Sequence, residues 1–254
     1  MKIIYVVGLG PGGLDLVPGR NMELITQKKP VFVRTKKHPA AEELANQGLG
    51  VISFDDLYLQ YETFEEVYKA IVDKLLESLT LYEEIVYAVP GHPFVAETTV
   101  ELLKKEAEKG GITVIPVPAM SCLDAIYASL GLDPTKGLVI KDALSINAQD
   151  ILPGTGLIIT QLYNRQVASE VKLTLMEVYP AEHQITLIQG AGKPDLERIE
   201  VLPLFKLDRV NWIDHLTSLY VEPYNKKLAI GKYPLEPLVQ VMQDLLGENG
   251  CPWD

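Results

Sequence analysis

The chain lacks most of the features that mark specialised protein classes. Its 254 residues hold two cysteines, Cys122 and Cys251, too few for a disulfide framework and without the spacing of a zinc site. That usage fits a reducing compartment. No apolar run approaches the ~20 residues needed to cross a bilayer. Positions 1–7 are apolar enough to suggest a signal sequence, but Gly8, Gly10, Gly12, Gly13 and Asp15 interrupt the run and no cleavage-like segment follows. The expectation is a cytoplasmic protein with no membrane role. Basic charge is also scarce: 34 acidic against 23 basic side chains leave a net charge of −11, which repels nucleic acid and tolerates a small cation. No Ser–His–Asp set, carboxylate pair or metal-ligand cluster is visible, so neither a metal nor a catalytic residue is assigned. Disorder is excluded by a 47% hydrophobic composition with Gly and Pro scattered, and the length suits one large domain or two modest ones.

What is present is alternation. Short apolar runs at 3–7, 30–34, 84–89 and 112–117, with a weaker one at 50–54, predict strands. Helices are expected from about residue 20 and over 63–79, 95–109 and 121–130. Phe64, Val67, Tyr68, Ile71, Leu75 and Leu79 share one helical face. Beyond Pro134 the strand-like runs crowd together, at 137–140, 156–162, 184–189, 198–203 and 219–221, with a helix over 166–178. This pattern predicts an α/β protein with a parallel sheet in the first domain, 1–116, and a mixed sheet in the second, 117–232. Pro116 and Pro118 stiffen the crossing between them. Leu235, Leu238, Val239, Met242, Leu245 and Leu246 then form an amphipathic pattern before Gly250-Cys251-Pro252-Trp253-Asp254, so 233–254 reads as the start of a further domain.

Three Gly/Pro-marked loops carry the functional signal. Gly8, Gly10 and Gly13 match G-x-G-x-x-G after the first strand. Pro11, Asp15, Pro18 and Gly19 delay the following helix, which argues against a dinucleotide site, although Arg34 after the second strand would suit a 2′-phosphate. Pro90-Gly91-His92-Pro93 and Pro118-Ala119-Met120-Ser121-Cys122 follow two later strands. Three such loops at the carboxyl ends of parallel strands share one rim, where α/β sheets bind ligands, largely through backbone groups.

In order and spacing, Val7-Gly8-Leu9-Gly10-Pro11-Gly12, Val89-Pro90-Gly91-His92-Pro93 and the 118–122 loop resemble the motifs of the tetrapyrrole (corrin/porphyrin) methylases, over about residues 3–222. The resemblance implies S-adenosylmethionine as cofactor, folded into a cleft between two α/β domains, a small-molecule methyl acceptor and a homodimer. It places Leu9 and Pro11 at the border of the site, His92 and Val95 at the ribose and amino-acid end, and Ser121 and Cys122 near the carboxylate. Gln161 or Leu162, Ile188 and Thr217 would reach the adenine and sugar from the second domain. His92 departs from the family, many of whose members have an Asp there. Residues 235–246 with the Gly-Cys-Pro-Trp-Asp segment resemble the beginning of a MazG-type nucleoside triphosphate pyrophosphohydrolase, which implies a fusion of the two.

Two functions follow: a methyltransferase, or a non-catalytic module that senses S-adenosylmethionine, S-adenosylhomocysteine or a nucleotide and regulates the fused hydrolase. Direct displacement at a sulfonium needs no metal. If a base takes part, His92, Tyr163 and Asp15 are the candidates. Each also has an ordinary structural role: His92 fixing a turn, Tyr163 as a half-buried strand aromatic, Asp15 capping a turn. Ser121 fits a helix N-cap that can also touch a ligand carboxylate. His38, His183 and His215, isolated among polar residues, are expected at the surface.

Overall fold

The computed structural model describes residues 2–28 and 30–224, together with Val239, Val241, Met242, Leu245 and Leu246. These five are helical and exposed. Leu235, Leu238 and the Gly-Cys-Pro-Trp-Asp segment, on which the reading of the tail rests, lie outside the described residues.

The first half alternates strand and helix: β1 (Lys2–Gly8), α1 (Gly19–Gln27), β2 (Val31–Val33), α2 (Pro39–Asn46), β3 (Val51–Ser53), α3 (Leu57–Gln60), α4 (Phe64–Leu81), β4 (Glu84–Val89), α5 (Thr98–Glu108) and β5 (Ile112–Val117). The five strands form a parallel sheet in the order β3-β2-β4-β1-β5. Its central strands are apolar throughout because both faces are covered. Ile4, Val6, Ile85, Tyr87 and Val89 pack on Val67, Ile71 and Leu75 of α4. Val7, Val31, Val33, Val86 and Ala88 pack on the opposite side against Leu24 and Ile25 of α1 and Ala40, Ala41 and Leu44 of α2. Helix α4 starts at a reciprocal cap in which Thr63 and Glu66 bond each other's backbone N–H, the arrangement that satisfies two orphan donors at a helix start.

After α6 (Cys122–Leu130) come β6 (Leu138–Asp142), β7 (Gly156–Thr160), α7 (Arg165–Met176), β8 (Gln184–Gln189), β9 (Arg198–Pro203) and β10 (Thr217–Val221). The second sheet runs β6-β7-β10-β8-β9, parallel only between β6 and β7. One face packs on Val167, Ala168, Val171 and Leu175 of α7. On the other face Ile158 and Ile188 meet Ile126 of α6. The expected fold class is therefore observed, a parallel sheet followed by a mixed one.

Two details differ from the sequence expectation. The short helices α2 and α3 are additional, α2 entering through Pro39 at its first turn, where a missing N–H costs nothing. Helix α5 begins at Thr98 rather than at residue 95, because Val95 closes a turn on the His92 carbonyl and Ala96 takes a left-handed φ of 53°. No described helix is long and apolar enough to cross a membrane.

Candidate functional site

The three loops meet. Gly10 and Gly91 exchange backbone hydrogen bonds, Gly10 N–H to Gly91 O at 3.2 Å and Gly91 N–H to Gly10 O at 2.9 Å, which ties the turn after β1 to the turn after β4. The third loop lies against both: a Cβ placed on Gly8 would sit 2.5 Å from Gly91 O and 2.8 Å from Ala119 Cβ. Buried Asn21 holds the set together, its amide donating to Gly8 O at 2.7 Å and Pro118 O at 3.2 Å. The second sheet closes over this rim. Gly12 approaches Gly192 so closely that a Cβ would fall 2.7 Å from Gly192 O, and Lys193 reaches Glu43 of α2 at 3.1 Å.

Between the sheets lie three adjoining pockets of about 380, 150 and 490 Å³, all bordered by Arg34, Gln161 and His215. The smallest lies beside the glycine turns and is lined by Pro11, Gly91, Val95 and Cys122 from one side and by Thr160, Leu216, Thr217 and Ser218 from the other. The size of the neighbouring pockets suits a small-molecule ligand.

The floor of the cleft is a buried polar network. Arg34, at the end of β2, pairs with Glu97 at 2.9 Å and donates to the hydroxyls of Tyr58 at 3.1 Å and Tyr68 at 3.3 Å. The Glu97 side chain is 1% exposed and accepts a second bond from Thr99 Oγ1 at 2.6 Å, with Tyr87 behind it. Burial is the strongest single influence on the Arg34 guanidinium and would make it easier to deprotonate, but the Glu97 carboxylate and the oxygens of Tyr58, Tyr87 and Tyr68 together outweigh it and keep it charged. Burial raises the hydroxyls of Tyr58, Tyr68 and Tyr87, so these stay neutral. Two non-glycine residues among those described have a left-handed backbone, Ala96 at φ 53° and Gln161 at φ 62°. Both line this cleft. Such conformations cost about 1–3 kcal/mol for a non-glycine residue and concentrate where function requires them.

The sequence pattern of the Tetrapyrrole (Corrin/Porphyrin) Methylases matches residues 3–208. The chain belongs to this family. It is 40% identical over 251 residues to the uncharacterized protein YabN of Bacillus subtilis (strain 168), covering 99% of this chain and 51% of YabN, so it spans about half the length of that relative. In fold it is similar to the uroporphyrin-III C-methyltransferase of Thermus thermophilus, with a TM-score of 0.64 at 19% identity over 88% of this chain and 95% of that one. A cobalt precorrin-4 methyltransferase gives 0.64 at 17% identity over 87% and 94%. Diphthine synthase gives 0.62 at 18% identity over 87% and 90%.

In this member of the family, Pro11, Val95, Cys122, Gln161 and Thr217 are brought together around the smallest pocket. The Cys122 thiol is pushed up by burial, so it forms a neutral wall and not a thiolate. The other expected site residues turn their side chains elsewhere. Leu9, Leu162 and Ile188 are buried in three separate core clusters, which leaves only their backbone groups to offer. Ser121 precedes α6, and both its N–H and its hydroxyl donate to Asp124 Oδ2 at 2.7 Å. His92 Nδ1 accepts from the Phe94 N–H at 3.1 Å, the turn-fixing role. Tyr163 packs edge-on against Phe64 at 6.1 Å between ring centres and borders the largest pocket, while Asp15 is exposed in a single 3-10 turn.

The histidine expectation needs correction. His215 is exposed at the cleft rim and His183 is half-buried on Tyr179, but His38 is only 5% exposed. Its position between Lys37 and Pro39 hides this, because burial comes from the packing of α2 under the glycine loop. Burial depresses its pKa from the ordinary 6.5 to about 4, the Gly10 backbone opposing the shift and His215 and Lys193 adding to it. An unfolded chain takes up this proton near 6.5, whereas the folded one resists it until about 4. The neutral ring therefore adds stability that is complete above 6.5 and is lost as the pH falls toward 4, on the order of 3 kcal/mol. Urea unfolding from pH 7 to 4 is expected to show a shallower loss of stability in His38→Asn than in the wild type. Parallel curves would refute a buried neutral His38.

Proposed function

We propose that this chain is a methyltransferase that moves a methyl group from S-adenosylmethionine to a small molecule, with the donor held in the cleft between the two sheets. The observation that carries the reading is the meeting of three strand-end turns on one rim, with main-chain groups of Gly10 and Gly91 at its centre. The family and the methyltransferase folds it resembles support the same chemistry.

The residues present fit such a donor. Pro11, Val95, neutral Cys122 and Leu216 offer an apolar slot for an adenine or a thioether, while Thr160, Gln161, Thr217 and Ser218 offer polar contacts around it. Side chains at Gly8, Gly10 and Gly12 would collide with backbone oxygens, so the turn presents main-chain groups instead. The bound sulfonium supplies an electrophilic methyl carbon. The chain's own part is to bind, to align the acceptor with that carbon and to exclude water, which needs no covalent intermediate. The overall charge of −11 favours a cationic donor.

Residues 233–254 are proposed as the beginning of a MazG-type domain, and their sequence resemblance supports this. The acidic metal-binding motifs of that hydrolase are not in this sequence, and its activity is not assigned to it.

Isothermal titration with S-adenosylhomocysteine and S-adenosylmethionine tests the reading. One-site binding of both is expected; no heat with either would refute it.

A further inference from the structure

The 490 Å³ pocket carries features that the donor site does not use. Aromatic rings reach it from both halves of the chain: Phe64 and Tyr68 stack at 6.0 Å on α4, and Tyr163, beyond β7, meets Phe64 edge-on. Phe64 is 45% exposed, an apolar ring left bare on the wall of a cleft. The fixed charge of the pocket is one-sided. Strands β6, β7 and β10 are neighbours, which sets Asp142 at the end of β6 and Asp214 ahead of β10 on either side of Gln161.

Neither carboxylate is neutralised by the protein. Asp142 Oδ1 accepts from the Leu144 N–H at 2.8 Å. Asp214 accepts from the Leu216 N–H at 2.9 Å, Thr217 Oγ1 at 3.2 Å and Gln189 Nε2 at 2.7 Å. All of these donors are uncharged, and no ion pair among the described residues includes either aspartate. The guanidinium on the wall, Arg34, is balanced by the buried Glu97 carboxylate at 2.9 Å. The other polar walls, Thr98, Gln161 and His215, can each bond to a donor or an acceptor and set no charge preference of their own. The 380 Å³ pocket differs, with Lys37 on its walls as well as Asp55. Unpaired carboxylates in a cleft raise the local concentration of cations and penalise anions, and aromatic ring faces attract cations through their quadrupole.

We propose that the methyl acceptor is an organic cation, an amine on an aromatic or apolar body, held in the 490 Å³ pocket with its ammonium group toward Asp142 and its body against Phe64 and Tyr163. This rests on the methyltransferase reading for the fate of the ligand, while its recognition by charge is tested independently. The same carboxylates disfavour a polycarboxylate in this pocket. Asp142 and Phe64 are here specificity-determining contacts.

Tryptamine and indole-3-propionate are suitable probes, since the same indole body ends in an ammonium in one and in a carboxylate in the other. Titrated into the wild-type chain at pH 8, where ordinary imidazoles are neutral, tryptamine is expected to bind at least about tenfold more tightly. Asp142→Asn keeps an acceptor for the Leu144 N–H and should weaken tryptamine about fivefold without weakening the propionate. Phe64→Leu, a change at an exposed position, should weaken both probes. Thermal unfolding checks that the variants fold, and the wild-type comparison stands without them. Equal binding of the two probes, no binding of tryptamine, a preference for the propionate, a charge preference undiminished in Asp142→Asn, or affinities untouched by Phe64→Leu would overturn the proposal. Titration of the wild type with S-adenosylhomocysteine separates the two claims. Tryptamine selectivity without cofactor heat removes the methyltransferase reading alone; cofactor heat without selectivity removes the cationic acceptor alone.

Discussion

Arg34→Met is expected to lower the unfolding free energy by about 3–5 kcal/mol, the usual cost of removing one partner of a buried ion pair. The loss comes less from the bond than from what remains. Glu97, with its side chain 1% exposed, would keep its bond to Thr99 but lose its cation, and the Tyr58 and Tyr68 hydroxyls would lose their donor. Arg34→Lys should recover only part of the stability, because an ammonium on a flexible stem cannot address a carboxylate and two hydroxyls from a planar fork. Denaturant unfolding at pH 7 measures both variants. A loss below about 1 kcal/mol would mean that the pair behaves as a solvated one.

Gly10→Val is expected to cost at least tenfold in affinity for S-adenosylhomocysteine and to destabilise the fold. Gly10 has φ +72°, which a β-branched residue rarely adopts, and a Cβ there would stand 2.7 Å from Leu16 O. The turn cannot relieve that contact without breaking the paired bonds to Gly91, and these hold two of the three loops together. Gly50→Ala is the control. That glycine is exposed, has no heavy atom within 4 Å of an added Cβ, and should tolerate the change within about 0.5 kcal/mol with unaltered binding. Calorimetry and thermal unfolding of the two variants give the comparison. Unchanged affinity in Gly10→Val would place the ligand away from this turn.

The sheets were legible in the sequence because their signals are local. Strands 84–89, 112–117, 184–189 and 198–203 carry uninterrupted or alternating apolar runs, and their ends in the structure are those expected. Helix α4 announces itself through one apolar face and a Thr-x-x-Glu start. Helix α2, with Pro39 entering an eight-residue segment, is too short to show a period.

At the site, the glycine and proline loops were readable because turn chemistry is written in residue type. The floor of the cleft was not. Arg34 and Glu97 are 63 residues apart and meet only because β2 and β4 are neighbours in the sheet. The left-handed backbones of Ala96 and Gln161 have no signal in residue type, since neither alanine nor glutamine favours that region. His38 looks like a surface residue until α2 is in place. Leu162 and Ile188 show the converse: apolar residues next to a cleft serve the cores on either side of it. An Arg at the end of a buried strand is the one clue that was available, because a cation there needs a partner from a neighbouring strand end.

The most direct measurement is the crystal structure of the chain bound to S-adenosylhomocysteine. The nucleoside is expected between the two sheets, within contact distance of Pro11, Val95, Cys122, Gln161 and Thr217 and against the backbone of Gly10 and Gly91. Density for the ligand at any other surface, with that crevice filled only by water, would contradict the assignment.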